Sequence, residues 1–165
     1  MDIFSFNLAT NPPLCSCNTK IFPLDKPDAK LFDETAKAVA EELANPQLIK
    51  EIGQGKNKQW KVIEDKNKKA NAPTQIRKFY DEVCLWAEKT QSVEIFERNL
   101  PFIKMMNAKA AYARGRELVD DKFVAWFSSC LGQITTANSE GLIRLHNFRT
   151  LFEAFVGFYK LARPK

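Results

Sequence analysis

The chain has 165 residues, room for one domain that buries about 68–70% of its unfolded surface. With 45% hydrophobic residues and 19 aromatics (13 Phe, 3 Trp, 3 Tyr), disorder throughout is excluded, and no apolar run approaches the roughly 18–20 residues of a membrane span. The net charge of +5 and a single histidine, His146, leave no metal-binding histidine pair and no two-histidine acid–base scheme.

Residues 1–24 lack a helical period and hold Pro12, Pro13 and Pro23; they are read as an irregular or mobile arm. The start carries Asp2 where a secretory signal carries Lys or Arg, and a cytoplasmic chain is expected. From residue 25 to 165 a helical-bundle domain is expected. Leu31, Ala36, Val39, Ala40 and Leu43 recur at helical spacing behind Pro27, and Asn45-Pro46 ends that helix. Gly53 to Ala70 is Lys-rich, with Trp60, Val62 and Ile63 as its apolar content, and reads as a loop with a short helix inside. Asn71 is the predicted N-cap of the next helix, with Pro73 in its first turn and Ile76, Phe79, Tyr80, Val83 and Trp86 on its apolar face.

Ser92 is predicted to cap a short helix that Pro101 interrupts, because an interior proline removes a hydrogen bond and clashes with the preceding turn. A new helix then runs to Arg114, closed by Gly115. Another spans about Val119 to Thr136, with Phe123, Trp126, Phe127, Cys130 and Ile134 inward. The last, from about Gly141 to Ala162, has an apolar stripe too broad for one wet side. It is expected to be central, or also to face a partner subunit. No segment shows strand alternation bounded by turns. The expected fold is all-α: a compact single-domain bundle of five to six helices with an irregular N-terminal arm.

Catalytic and metal signatures are weak. Gly53-Gln54-Gly55-Lys56 has the wrong spacing for a phosphate loop, and Asn57 stands where Ser or Thr is needed. Asp120 and Asp121 read as helix-start charge. Cys15, Cys17 and His146 offer three zinc ligands, but no second cysteine pair completes the usual spacing. No metal, cofactor or catalytic residue is therefore assigned.

The charge is more informative. Residues 50–78 carry +6, residues 104–116 carry +4 with no acid, and residues 144–165 carry +4, against three segments of −3. Gathered on one face, these bases form the footprint of a polyanion binder. Lys66, Lys68, Lys69, Thr74, Gln75, Arg77 and Lys78 surround a helix start, where free N–H groups favour phosphate. In the second basic segment Tyr112 can stack on a base or ribose, and Arg116 can fork onto phosphate. The competing reading is close helix packing through Ala108, Ala110, Ala111 and Ala113, with an Arg77–Asp81 pair on the helix surface.

Three stretches together resemble a family: the small helical subunit of the type III-A (Csm-type) CRISPR effector complex. Asn71 to Tyr80, with Gln75-Ile76-Arg77, resembles that family's helix start, with Asn71 in place of the more usual Thr. Met105 to Arg116 resembles its Lys-Pro-Lys-x-x-Tyr-x-x-x-Arg segment, departing from it at Asn107 and Ala108. Phe148 to Lys160, with Phe152-Glu153-Ala154, resembles its closing helix. The resemblance implies a non-catalytic subunit stacked in several copies inside a ribonucleoprotein filament. Its partners would be guide RNA, target RNA, the other subunits of the complex and copies of itself, with no membrane. The RNA-binding candidates are Lys69, Gln75, Arg77, Lys78, Lys109, Tyr112, Arg114 and Arg116. A stand-alone helical nucleic-acid-binding module and a small helical nuclease are the alternatives.

Overall fold

The computed structural model describes residues 3–135 and 138–163. Asp2 and the predicted helix end at Thr136 lie outside them. Five helices form most of the structure: α1 (Ala36–Leu43), α2 (Pro73–Lys89), α3 (Val93–Gly115), α4 (Asp121–Gly132) and α5 (Ser139–Ala162). A π-helical turn, Leu31–Thr35, leads into α1, and the Asp28 carboxylate accepts the Leu31 N–H at 2.9 Å at its start.

The all-α expectation needs correction, because two antiparallel hairpins accompany the helices. β1 (Phe4–Asn7) pairs with β2 (Leu14–Cys17) inside the segment expected to be irregular. Its strands alternate: Phe4, Phe6, Cys15 and Cys17 are half-buried, while Ser5, Asn7, Leu14 and Ser16 are exposed. β2 lies on α4, where the Cys17 thiol donates to the Ala125 carbonyl at 3.5 Å. Behind the hairpin Phe22 and Leu24 are fully buried. Gln133 clasps that backbone with both ends of its amide: Nε2 donates to Phe22 O at 2.7 Å, and Oε1 accepts from Leu24 N at 3.1 Å.

The Lys-rich stretch from Gly53, expected to be a loop, supplies the turn and second strand of another hairpin, β3 (Gln47–Ile52) with β4 (Gln59–Glu64), Gln47 opposite Glu64. Only one 3₁₀ turn, Gly55–Asn57, matches the short helix expected there. Gly53 makes the reversal, with φ +108°; a Cβ there would stand 2.3 Å from the Asn57 carbonyl oxygen. The acids at the start of α4 cover one strand. Asp120 Oδ2 accepts from Gln47 N, and Asp121 Oδ2 from Ile49 N, each at 2.9 Å. A strand edge is thereby closed to other chains.

Asn71 does not cap α2; Ala72 stands at that position without a side-chain cap, and Pro73 opens the helix. Asn71 is instead buried, with φ +56°. Its Nδ2 donates to Leu43 O at 3.2 Å, and its Oδ1 accepts from Asp120 N at 2.9 Å. Ser92 does cap α3, accepting from Ile95 N at 3.3 Å. Pro101 does not interrupt that helix. Pro101 and Glu97, whose carbonyl loses its helical donor, are both exposed, so water is at hand to replace the bond. Asp120 caps α4 through its Oδ1, 2.8 Å from Phe123 N.

α5 is the central element, packed against α1 and α2. Phe148, Phe152 and Phe155 on it surround Trp126 of α4, with ring centroids 6.2, 5.1 and 4.7 Å away. The broad stripe thus serves the core of this chain. Among the described residues, no helix is long and apolar enough to cross a membrane.

Candidate nucleic-acid interface

Two of the three basic segments, 50–78 and 104–116, converge where α2, α3 and the second hairpin meet; no residue of 144–165 lines the grooves there. On α2, Gln75, Lys78, Phe79 and Glu82 fall three to four residues apart and so share one face. On α3, Met105, Ala108, Lys109, Tyr112 and Ala113 repeat that spacing and look back across a groove of about 450 Å³. Ala108 and Ala113, with side chains that end at Cβ, leave this space open.

A second groove, of about 610 Å³, lies between the β3–β4 hairpin and the α3–α4 turn. Lys50, Lys66, Lys69 and Arg116 line it, with Glu64, Asp65 and Glu117 among them. Lys50 is paired with Glu117 at 2.8 Å. Leu118 lines both grooves, so they adjoin at that turn. Glu117 reverses the chain there with φ +57°, and the Leu118 N–H donates to Ala113 O at 2.9 Å.

Six of the eight candidates line this surface: Lys69, Gln75, Lys78, Lys109, Tyr112 and Arg116. Tyr112 is 67% exposed, and the Arg116 guanidinium stands 5.8 Å from its ring centroid. Lys109 bridges the first groove to Glu82. Lys69, Lys78 and Arg116 are exposed and make no ion pair among the described residues.

The other two candidates point elsewhere. Arg77 donates to Asp81 Oδ1 at 2.8 Å, one turn along α2, and lies over Tyr80. Arg114 is drawn into the fold. Its Nε is 2.9 Å from Asp121 Oδ1, and its Nη2 donates to Ile49 O at 3.0 Å, which joins α3, α4 and β3. That side chain is only 23% exposed, so its ion pair and its one hydrogen bond are worth more than a surface pair. Arg114→Ala is expected to lower unfolding free energy in urea by about 1.5–3 kcal/mol, the range of hydrogen bonds to a charged group. Lys78→Ala and Arg116→Ala should stay within about 0.5 kcal/mol.

The residues weighed for chemistry are held by the backbone. Both Asp120 and Asp121 accept main-chain N–H groups, and burial pushes the Asp120 carboxyl up against its bonds from Phe123 and Gln47. The His146 ring nitrogen Nε2 is 3.2 Å from Thr90 O. Burial, then the Asp121 and Asp120 carboxylates, push the Cys15 thiol up to about 12, so it is protonated at neutral pH.

Lys50 was not among the candidates. The signal for it was the apolar Leu48-Ile49 pair beside it, which marks a strand only once its partner strand is known.

A protein-family model described as Csm2 Type III-A matches residues 56–165. The chain belongs to this family. The Csm2-family match spans two thirds of the sequence, and with it every groove residue except Leu48 and Lys50. Membership makes the chain a small subunit of the multi-subunit type III-A Csm CRISPR complex. No curated protein and no solved structure matches it.

Proposed function

We propose that this Csm2-family subunit holds the sugar–phosphate backbone of guide and target RNA and catalyses nothing itself. The observation that carries the proposal is the pair of grooves meeting at Leu118, where bases from segments 50–78 and 104–116 face one surface. Lys69, Lys78 and Arg116 keep their charges free for phosphate. Tyr112 offers an exposed ring for a base or ribose. Asp120, Asp121 and His146 are occupied by backbone groups, which supports a role without hydrolysis. Sequence reading is then left to base pairing between guide and target. The subunit works in the cytoplasm, packed against other subunits and copies of itself.

Titration of labelled single-stranded RNA with the Lys78→Ala, Lys109→Ala and Arg116→Ala proteins tests this. Each should weaken binding about equally for all sequences and reduce the salt slope by about 0.7–0.9. Each should melt normally, and the RNA should stay intact with Mg²⁺ or Mn²⁺. Unchanged binding and unchanged complex assembly across the three variants would sink the assignment, and metal-dependent cleavage would sink the non-catalytic role.

A further inference from the structure

Residues 65–71 carry three of the bases near the second groove, Lys66, Lys68 and Lys69, yet form neither helix nor strand. Such a segment is ordinarily the part of a fold that opens first. Here it is tied from two sides. From within, the Asp65 side-chain Oδ2 accepts the Ala70 N–H at 2.8 Å, and the Asp65 carbonyl accepts the Lys68 N–H at 2.8 Å. From below, the buried Arg163 at the end of α5 donates through Nη1 to Ala70 O and Asn71 O, each at 2.7 Å, and through Nη2 to Lys68 O. Lys68 itself has φ +48°, a conformation that a lysine adopts only when its surroundings impose it. The carbonyls are drawn inward, and the Lys66 and Lys69 side chains are left in solvent beside Arg116.

We infer that Asp65 and Arg163 are positioning residues for RNA binding, which clamp the basic segment 65–71 in the arrangement that phosphate meets. The inference rests on the function proposed above. It makes a counter-intuitive demand on Asp65. An acid among lysines lowers the local positive potential, so on charge alone its removal strengthens binding to any polyanion. As a clamp, its loss weakens binding, because the loop must then be ordered by the RNA at the RNA's expense.

The Asp65→Asn and Asp65→Ala proteins separate the two effects. Both remove the charge, but asparagine keeps an oxygen to accept the Ala70 N–H. Asp65→Asn is expected to bind single-stranded RNA as tightly as the unaltered chain or more tightly. Asp65→Ala should bind on the order of tenfold more weakly, the ordering cost of about one backbone residue. Amide exchange at Lys68 and Ala70 should quicken in Asp65→Ala alone. Arg163→Gln should also lose on the order of tenfold in affinity. Its salt slope should stay unchanged, because no phosphate-facing base is removed. A slope reduced by about 0.7–0.9 would make Arg163 an RNA contact and overturn its positioning role. If Arg163→Gln fails to fold, the Asp65 pair decides. Equal RNA affinity of Asp65→Ala and Asp65→Asn, measured on folded protein, overturns the inference while leaving the RNA-binding function standing. An unaltered chain without salt-dependent RNA binding removes the function and the inference together.

Discussion

Replacing Lys69, Lys78, Lys109 and Arg116 together by alanine is expected to take the slope of log affinity for RNA against log salt down by about three, four contacts at roughly 0.7–0.9 each. At low salt the affinity itself should fall on the order of a hundredfold or more, since counterion release supplies most of such binding. The four residues come from the 65–71 loop, α2, α3 and the α3–α4 turn, so no single element's distortion can mimic the result. Among the described residues three of them make no ion pair, and the fourth, Lys109, has one half-buried partner in Glu82. The melting temperature should therefore hold, or rise as self-repulsion among the bases is relieved. A fourfold variant that keeps its salt slope, or that loses RNA only because it unfolds, is incompatible with the groove as the RNA site. Arg77→Ala serves as the control: the Arg77–Asp81 pair stands on the outer face of α2, and its loss should leave RNA binding and stability nearly unchanged.

Asn71→Ala is expected to cost about 3–5 kcal/mol of unfolding free energy, a large share of the roughly 5–15 kcal/mol that a domain possesses. The side chain accepts the buried Asp120 N–H at 2.9 Å, and its loss leaves that donor unpaired at about 1–3 kcal/mol. The Leu43 carbonyl also loses its 3.2 Å donor, keeping a longer bond from Tyr159 Oη at 3.3 Å. The backbone adds to this: at φ +56° alanine pays about 1–2 kcal/mol that asparagine largely avoids by local hydrogen bonding. Asn71→Gly loses the same two bonds without the steric term. It should unfold at a higher urea concentration than Asn71→Ala, by an amount equivalent to about 1 kcal/mol. Equal midpoints for the two variants would show that the left-handed backbone is not strained. A loss below about 1 kcal/mol in both would show that the buried bonds are replaced by water.

Much of the fold was legible because helices advertise themselves locally. The apolar faces of α2, α4 and α5 repeat at 3.6 residues, and the breadth of the α5 stripe pointed to a central helix or to one that also faces a partner. Ser92 and Asp120 do what their residue types do at helix starts. The hairpins were hidden for a different reason. β1 and β2 have four residues each, too few for alternation to stand out, and β2 is held by α4, more than a hundred residues away. Pro101 and Asn71 misled in opposite ways. A local rule overstated the proline's power to break α3, and it gave Asn71 a capping role when that side chain joins Leu43 to Asp120.

The candidate site divides along the same line. The basic segments, the lack of a catalytic constellation and the family resemblance were present in the sequence by itself. Which bases face outward was not. Arg114 and Arg116 lie two residues apart in one acid-free run, and nothing local distinguishes them. At about 100° per residue they leave the end of α3 on opposite sides. The chain then turns at Glu117 and brings Asp121 back beneath Arg114, while the β3–β4 hairpin offers it the Ile49 carbonyl. Arg116 meets only the open groove and the Tyr112 ring. Composition and period determine how many charges a segment carries and in which direction each leaves its helix. Whether a charge is spent within the fold or left for a partner depends on what distant segments place opposite it, and only the tertiary structure decides that.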